Sequence, residues 1–220
     1  MDWQAVMVSL QLASCTTLLL CLLGIPLAYW LAMSRWPGRF VIQAVVALPL
    51  VLPPTVLGFY LLLLLGPRGP VGGLFEAWTG RSLAFSFPGL VVASMLFSLP
   101  FAVRPFVVGF ASIDRRLLEA SWVLGESHWG TFWRVAVPLG WPGIVAGAVL
   151  AFAHTLGEFG VVLMVGGNIP GVTRTVSIAI YDEVQAMQYD RAAWASGLLL
   201  LVSFLAMAST YLVERRTWAI

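Results

Sequence analysis

No lysine occurs anywhere in the 220 residues; all 12 basic residues are arginine. A GxxxxGK[ST] phosphate loop is therefore excluded, and with it a P-loop ATPase. There are 2 histidines, His128 and His154, with no paired cysteines and no second ligand at metal-binding spacing, so no metal site is expected. The cysteines, Cys15 and Cys21, share one apolar run in which a helix would set them ~9 Å apart along its axis, beyond disulfide reach. They are packing residues on this reading. Charged residues make up 10% of the chain and the formal net charge is +2, too small and too dispersed for nucleic-acid binding. Neither HExxH nor GxSxG occurs, and serines such as Ser94 and Ser98 have no evident base partner, which argues against an intramembrane enzyme.

What the chain does have is apolar residues, 60% of the whole. A bilayer core of ~30 Å takes roughly 20 such residues per helix, so the length allows about five spans with short connections. The expected fold is an all-α integral membrane protein, a single transmembrane domain over 1–220, with spans at about 6–33, 41–65, 84–110, 138–165 and 193–213. The start, Met1-Asp2-Trp3-Gln4, lacks the basic flank of a cleaved signal peptide, so the first run is expected to be retained as a span.

The arginines give orientation. Arg35, Arg39, Arg115, Arg116, Arg134, Arg215 and Arg216 fall on one side if the N-terminus is outside and the C-terminus inside. Arg68, Arg81, Arg174 and Arg191 stay outside, and Arg104-Pro105 reads as a kink with a snorkelling side chain near the inner end of the third span. Trp3, Trp30, Trp36, Trp141, Trp194 and Trp218 fall near span ends as interfacial anchors. The Gly- and Pro-rich stretch 66–83 is expected to be a turn-rich surface loop. Segment 166–192 is too polar to cross lipid, and a short helix outside the bilayer or dipping into it is expected. No internal repeat is evident.

The inner connection 111–137 is long and rich in helix formers. Asp114 precedes it, Leu117, Leu118, Trp122 and Val123 recur at helical spacing, and Gly125 is a stop, which predicts a short amphipathic helix and a turn. From composition alone it is equally a helix lying on lipid headgroups. The spacing goes further. Glu119-Ala120-Ser121, three residues, Gly125, nine residues, then Val135-Ala136-Val137-Pro138 resembles the EAA motif of ABC importer permeases, with Ser121, Val135 and Val137 as small departures. The strings Leu48-Pro49-Leu50-Val51-Leu52-Pro53-Pro54-Thr55-Val56, Gly157-Glu158-Phe159-Gly160, Asn168-Ile169-Pro170-Gly171 and Thr173-Arg174-Thr175 are similar to the molybdate branch of that family.

The resemblance implies a type I importer permease in the plasma membrane of a prokaryote, moving molybdate, tungstate or the related sulfate. Its partners would be cytoplasmic ABC ATPase subunits, which hold ATP and magnesium, a second copy of itself, and an extracytoplasmic oxyanion-binding protein; the chain itself carries no cofactor. It also implies that residues around Glu119 to Glu126 dock into a groove on the ATPase, with Leu117, Leu118 and Trp122 as anchors, Ala120 and Ser121 allowing close approach, Gly125 turning the chain, and Pro138 closing the motif. A passive channel would leave this element without a purpose.

Candidates for contact with a dianion are few. Pro53-Pro54 removes two N–H groups and bends the second span beside the Thr55 hydroxyl, which reads either as a plain kink or as part of a passage. Asn168, Thr173 and Arg174 cluster outside the fourth span, where Arg174 attracts an oxyanion, pairs with a carboxylate of a binding protein, or is simply solvated. His154 and Glu158, four apart, are expected on one helix face. A bare carboxylate repels the cargo, so Glu158 is read as paired, protonated or holding a helix interface near a gate.

Overall fold

The computed structural model describes residues 2–217, with side chains described through residue 210. Trp218 and the side chains of Arg215 and Arg216 lie outside that range. Among the described residues the chain is helical and contains no strand. Helix α1 (Trp3–Met33) starts where the Asp2 carboxylate accepts the Ala5 N–H at 3.0 Å, satisfying one of the donors a helix start leaves free. Helix α5 (Phe87–Ala111) starts in the same way on Ser86, whose hydroxyl accepts the Gly89 N–H at 3.2 Å, with Pro88 in the first turn, where its missing N–H costs nothing.

Between them lie α2 (Arg39–Ala47), a 3-10 turn (Leu48–Leu50), α3 (Pro54–Leu65) and α4 (Pro70–Thr79). The expectation of one kinked span over 41–65 gives way to two short helices bent by 110°. Two successive prolines cannot donate to the ladder, and their rings exclude a continuing helix, so the chain breaks outright. The expected loop at 66–83 is largely helix α4. Pro70 suits its first turn, and Gly72 lets α4 pack on the end of α3, since a β-carbon there would lie 2.1 Å from the Leu65 carbonyl oxygen.

After α5 come α6 (Arg115–Val123), α7 (His128–Thr131), a π turn (Phe132–Ala136), α8 (Val137–Leu139), α9 (Trp141–Gly157), α10 (Gly160–Gly166), α11 (Val176–Gln185) and α12 (Tyr189–Thr217). The π turn precedes Pro138, whose ring crowds the carbonyl four residues back; the ladder widens and the Val137 N–H bonds Phe132 instead. Helices α1, α5 and α12 are individually long and apolar enough to cross a membrane, and up to 5 crossings result if each of 2 bent pairs counts as one span. Segment 166–192 contains α11, ten residues packed on α1, α9 and α12 through Val176, Ile178 and Ala179.

The core forms where α5 packs between α1 and α9. Apolar side chains gain little from leaving lipid for protein, so close van der Waals approach must hold such helices together. Gly143 and Gly147 of α9 supply it: a β-carbon at Gly143 would stand 2.6 Å from the Gly109 Cα, and one at Gly147 would stand 2.5 Å from the Ala102 carbonyl oxygen. Phe106 and Phe110 fill the centre, and Tyr29, Phe110 and Phe132 meet edge-on or tilted with centroids 5.0 to 6.4 Å apart.

Candidate functional site

At one end of the bundle, Met33 at the end of α1 and Arg35 just beyond it share a cavity of about 470 Å³ with Arg115, Glu119, Trp122 and His128. The 111–137 element is therefore seated against the foot of α1. Asp114 caps α6 by accepting the Arg116 N–H at 3.0 Å, and the helix ends at Gly125, whose φ of 89° suits glycine almost alone. A second short helix returns, tied by three contacts. Ser121 Oγ and Thr131 Oγ1 are 2.7 Å apart, Glu126 and Arg134 form an ion pair of 2.6 Å, and the Trp122 and His128 rings meet edge-on at 5.0 Å.

Two expected partner contacts are corrected here. Leu118 is only 3% exposed and packs inward with Phe132 and Ile113, because spacing alone does not say which apolar residues of a short helix face the bundle. Ser121 is buried too, donating to the Leu118 carbonyl at 2.8 Å and meeting Thr131. Leu117, Glu119, Ala120 and Trp122 stay exposed, as do Val123 at 88% and Leu124 at 85%, two apolar residues at the tip that sequence reasoning did not single out as anchors. Pro138 is exposed at the start of α8, just before the chain turns by 73° into α9.

In the middle of the bundle two helix breaks lie side by side. Pro53, Pro54 and Thr55 are exposed at the start of α3. Gly160, the first residue of α10, faces Pro54 so closely that a β-carbon there would be 2.8 Å from the Pro54 Cβ. Glu158 does not share a helix face with His154, since α9 ends at Gly157 and Glu158 is extended at φ −67° and ψ 135°. It is 4% exposed, and both carboxylate oxygens lack a hydrogen-bond partner. His154 instead points at α5, sharing a 2.9 Å hydrogen bond with Ser98 and stacking on Phe101 at 3.9 Å. Ser98 also meets Thr155 at 2.8 Å, a polar cluster that no sequence motif announces. Arg104 is exposed and borders a cavity of about 320 Å³ with Gln43, Leu31 and Val46.

At the opposite end, the residues after α10 are bound into the fold. Thr173 is buried, donating to the Gly166 carbonyl at 2.7 Å and accepting the Ile169 N–H at 3.1 Å, so it holds a turn and presents nothing outward. Arg174 is paired within the chain: Nη2 is 3.0 Å from Asp182 and Nε 3.6 Å from Asp2. Asn168 is exposed and donates to the same Asp182 at 2.8 Å. Among the described residues no group of three or more His, Cys, Asp or Glu side chains is placed to hold a metal ion.

This arrangement of helices is that of an ABC importer membrane subunit of type I. It superimposes with a TM-score of 0.76 on a subunit of a bacterial alginate ABC transporter solved in complex with an alginate pentasaccharide-bound periplasmic protein, at 20% identity over 97% of this chain and 78% of that one. With the MetNI methionine ABC transporter in an inward-facing conformation the TM-score is 0.69, at 18% identity over 96% and 95% of the two chains.

Residues 24–219 match the family described as binding-protein-dependent transport system inner membrane component, and the chain belongs to that family. It is a membrane subunit, not the ATPase. The molybdenum transport system permease protein ModB of Azotobacter vinelandii is 52% identical over 97% of this chain and 95% of its own length. That of Escherichia coli (strain K12) is 38% identical over 97% and 92%. A probable sulfate transport system permease protein cysT of Chlorokybus atmophyticus is 37% identical over 89% and 68%.

Proposed function

We propose that the chain is the translocation subunit of an ATP-driven importer that carries molybdate, and tungstate with it, inward by alternating access. The 52% identity to a molybdenum permease along nearly the full length of both chains carries the cargo assignment. The whole chain acts as one transmembrane domain, N-terminus outside and C-terminus inside. Arg35 and Arg115, from two different connections expected inside, line one cavity, which supports their lying on the same side.

Coupling runs through α6 and the turn at Gly125. Leu117, Glu119, Ala120, Trp122, Val123 and Leu124 form the exposed side of this element, and an ATPase that holds ATP and magnesium takes them in a groove. The chain functions as a homodimer with the path between copies. Pro53, Pro54 and Thr55 are open on a single chain, where the Thr55 hydroxyl is the donor offered to an anion, since the prolines carry no N–H and those of Val56 and Leu57 bond the Pro53 carbonyl. Glu158, buried beside the same break, shapes the gate instead of holding the anion, since its charge has the cargo's sign.

The test is reconstitution with the ATPase and a cargo-loaded binding protein. Molybdate is expected to stimulate ATP hydrolysis, and excess tungstate to suppress uptake of labelled molybdate. Sulfate is the second reading, favoured by the Chlorokybus match; competition by sulfate without competition by tungstate would establish it and refute the first.

A further inference from the structure

At the end of the bundle that carries Asp2, two cavities lie one behind the other along the same helices. The deeper, about 230 Å³, runs between Val6 and Leu10 of α1 and Leu198 and Val202 of α12, with Leu156 and Val176 behind them. Its polar lining side chain, Ser9, is already engaged, accepting the Val176 N–H at 2.8 Å. The shallower, about 380 Å³, is charged and is bordered by Asp2, Arg174, Asp182, Glu183, Gln188 and Arg191. Arg191 and Leu198 are two turns apart on one face of α12, roughly 10 Å along its axis. Trp3 and Trp194, 70% and 80% exposed, stand between the two levels, where indole rings settle at a headgroup boundary. A slot that is apolar within, charged above, and bracketed by tryptophan follows the polarity of a single phospholipid.

The charges select the headgroup. Arg174 is occupied by Asp182 and Asp2. Among the described residues Arg191 makes no ion pair, and the half-buried Glu183 carboxylate that lines the same cavity makes neither an ion pair nor a hydrogen bond. An uncommitted cation beside an unpartnered carboxylate oxygen complements a phosphate followed by a primary ammonium. We infer that this slot binds one aminophospholipid of the phosphatidylethanolamine class, an acyl chain between α1 and α12, its phosphate on Arg191 and its ammonium on Glu183. A choline headgroup gives Glu183 no N–H donor, and a glycerol headgroup brings no cation, so either leaves that oxygen without a charge-assisted partner. Helix α12 packs on α9 and α11, and the lipid extends that contact to α1.

The full-length protein, extracted from membranes and equilibrated with defined lipids, is examined by native mass spectrometry. Phosphatidylethanolamine is expected to be retained at one molecule per chain, about tenfold over phosphatidylcholine and phosphatidylglycerol. Arg191→Gln and Glu183→Gln should each remove that preference, Arg191→Lys should keep it, and substitution of Leu199, which also lines the deeper cavity, by tryptophan (Leu199→Trp) should fill the apolar part and weaken all three lipids. Equal retention of the three lipids overturns the assignment. So does a preference for phosphatidylglycerol, or a preference for phosphatidylethanolamine that survives Arg191→Gln and Glu183→Gln.

Discussion

Gly125 isolates the coupling turn from every other feature. Its φ is 89°, and nothing lies within 4 Å of where a β-carbon would stand, so Gly125→Ala introduces no clash and acts through backbone conformation alone. Holding a side chain in left-handed backbone costs ~1–2 kcal/mol, and asparagine, which visits that region more readily, about half as much. One to two kcal/mol is a factor of about 5–30 in the population that keeps α6 and α7 in their present relation. ATP hydrolysis stimulated by cargo-loaded binding protein, and pull-down of the ATPase, should both rank glycine above asparagine, asparagine above alanine and alanine above proline. Gly197→Ala is the control, since that glycine is equally uncrowded but has no positive φ, and it should leave both readouts unchanged. Alanine at 125 that couples like wild type, or couples better than asparagine, would refute the reasoning.

Gly143→Val should separate α5 from α9, because even a β-carbon there falls 2.6 Å from the Gly109 Cα; a loss of about 1–3 kcal/mol is expected in denaturant titration of the solubilised protein. Ser121→Ala removes the 2.7 Å partner of the buried Thr131 hydroxyl, with an expected cost of about 1–3 kcal/mol that Thr131→Val on the same background should partly recover. Arg174→Gln frees Asp182 from a 3.0 Å pair whose members are 24% and 34% exposed, so the loss of stability should stay near 1 kcal/mol and shrink in high salt.

The fold class was legible because long apolar runs and an absence of strand patterning leave few alternatives, and the 111–137 element because its spacing survives three substitutions. Facing was not. Leu117 and Leu118 are equivalent in composition, yet only Leu118 meets Phe132, and that choice is made by the return of the chain through α7. The relation of His154 to Glu158 failed because four-residue spacing assumes an unbroken helix, and α9 stops at Gly157. Arg174 was left open between an oxyanion, a binding-protein carboxylate and solvent because its partners within the chain, Asp2 and Asp182, share no local sequence pattern with it. A signal for the α5–α9 contact was present in Gly143-Ile-Val-Ala-Gly147, the small-xxx-small spacing that brings membrane helices together.

The inward side of the coupling element is built from Leu118, Ser121, Thr131 and Phe132, which belong to the bundle core or to its own turn, while the outward side ends in Leu117, Trp122, Val123 and Leu124. Two faces a few ångströms apart thus answer to different constraints. The inner one is fixed by the permease; the outer one, on the proposed docking, is free to follow whichever ATPase it meets. On the proposed docking, exchanging the ATPase between related importers would be a matter of re-fitting the exposed side chains on an unchanged mount, and compatibility between subunits would drift apart or be redesigned without disturbing the membrane fold.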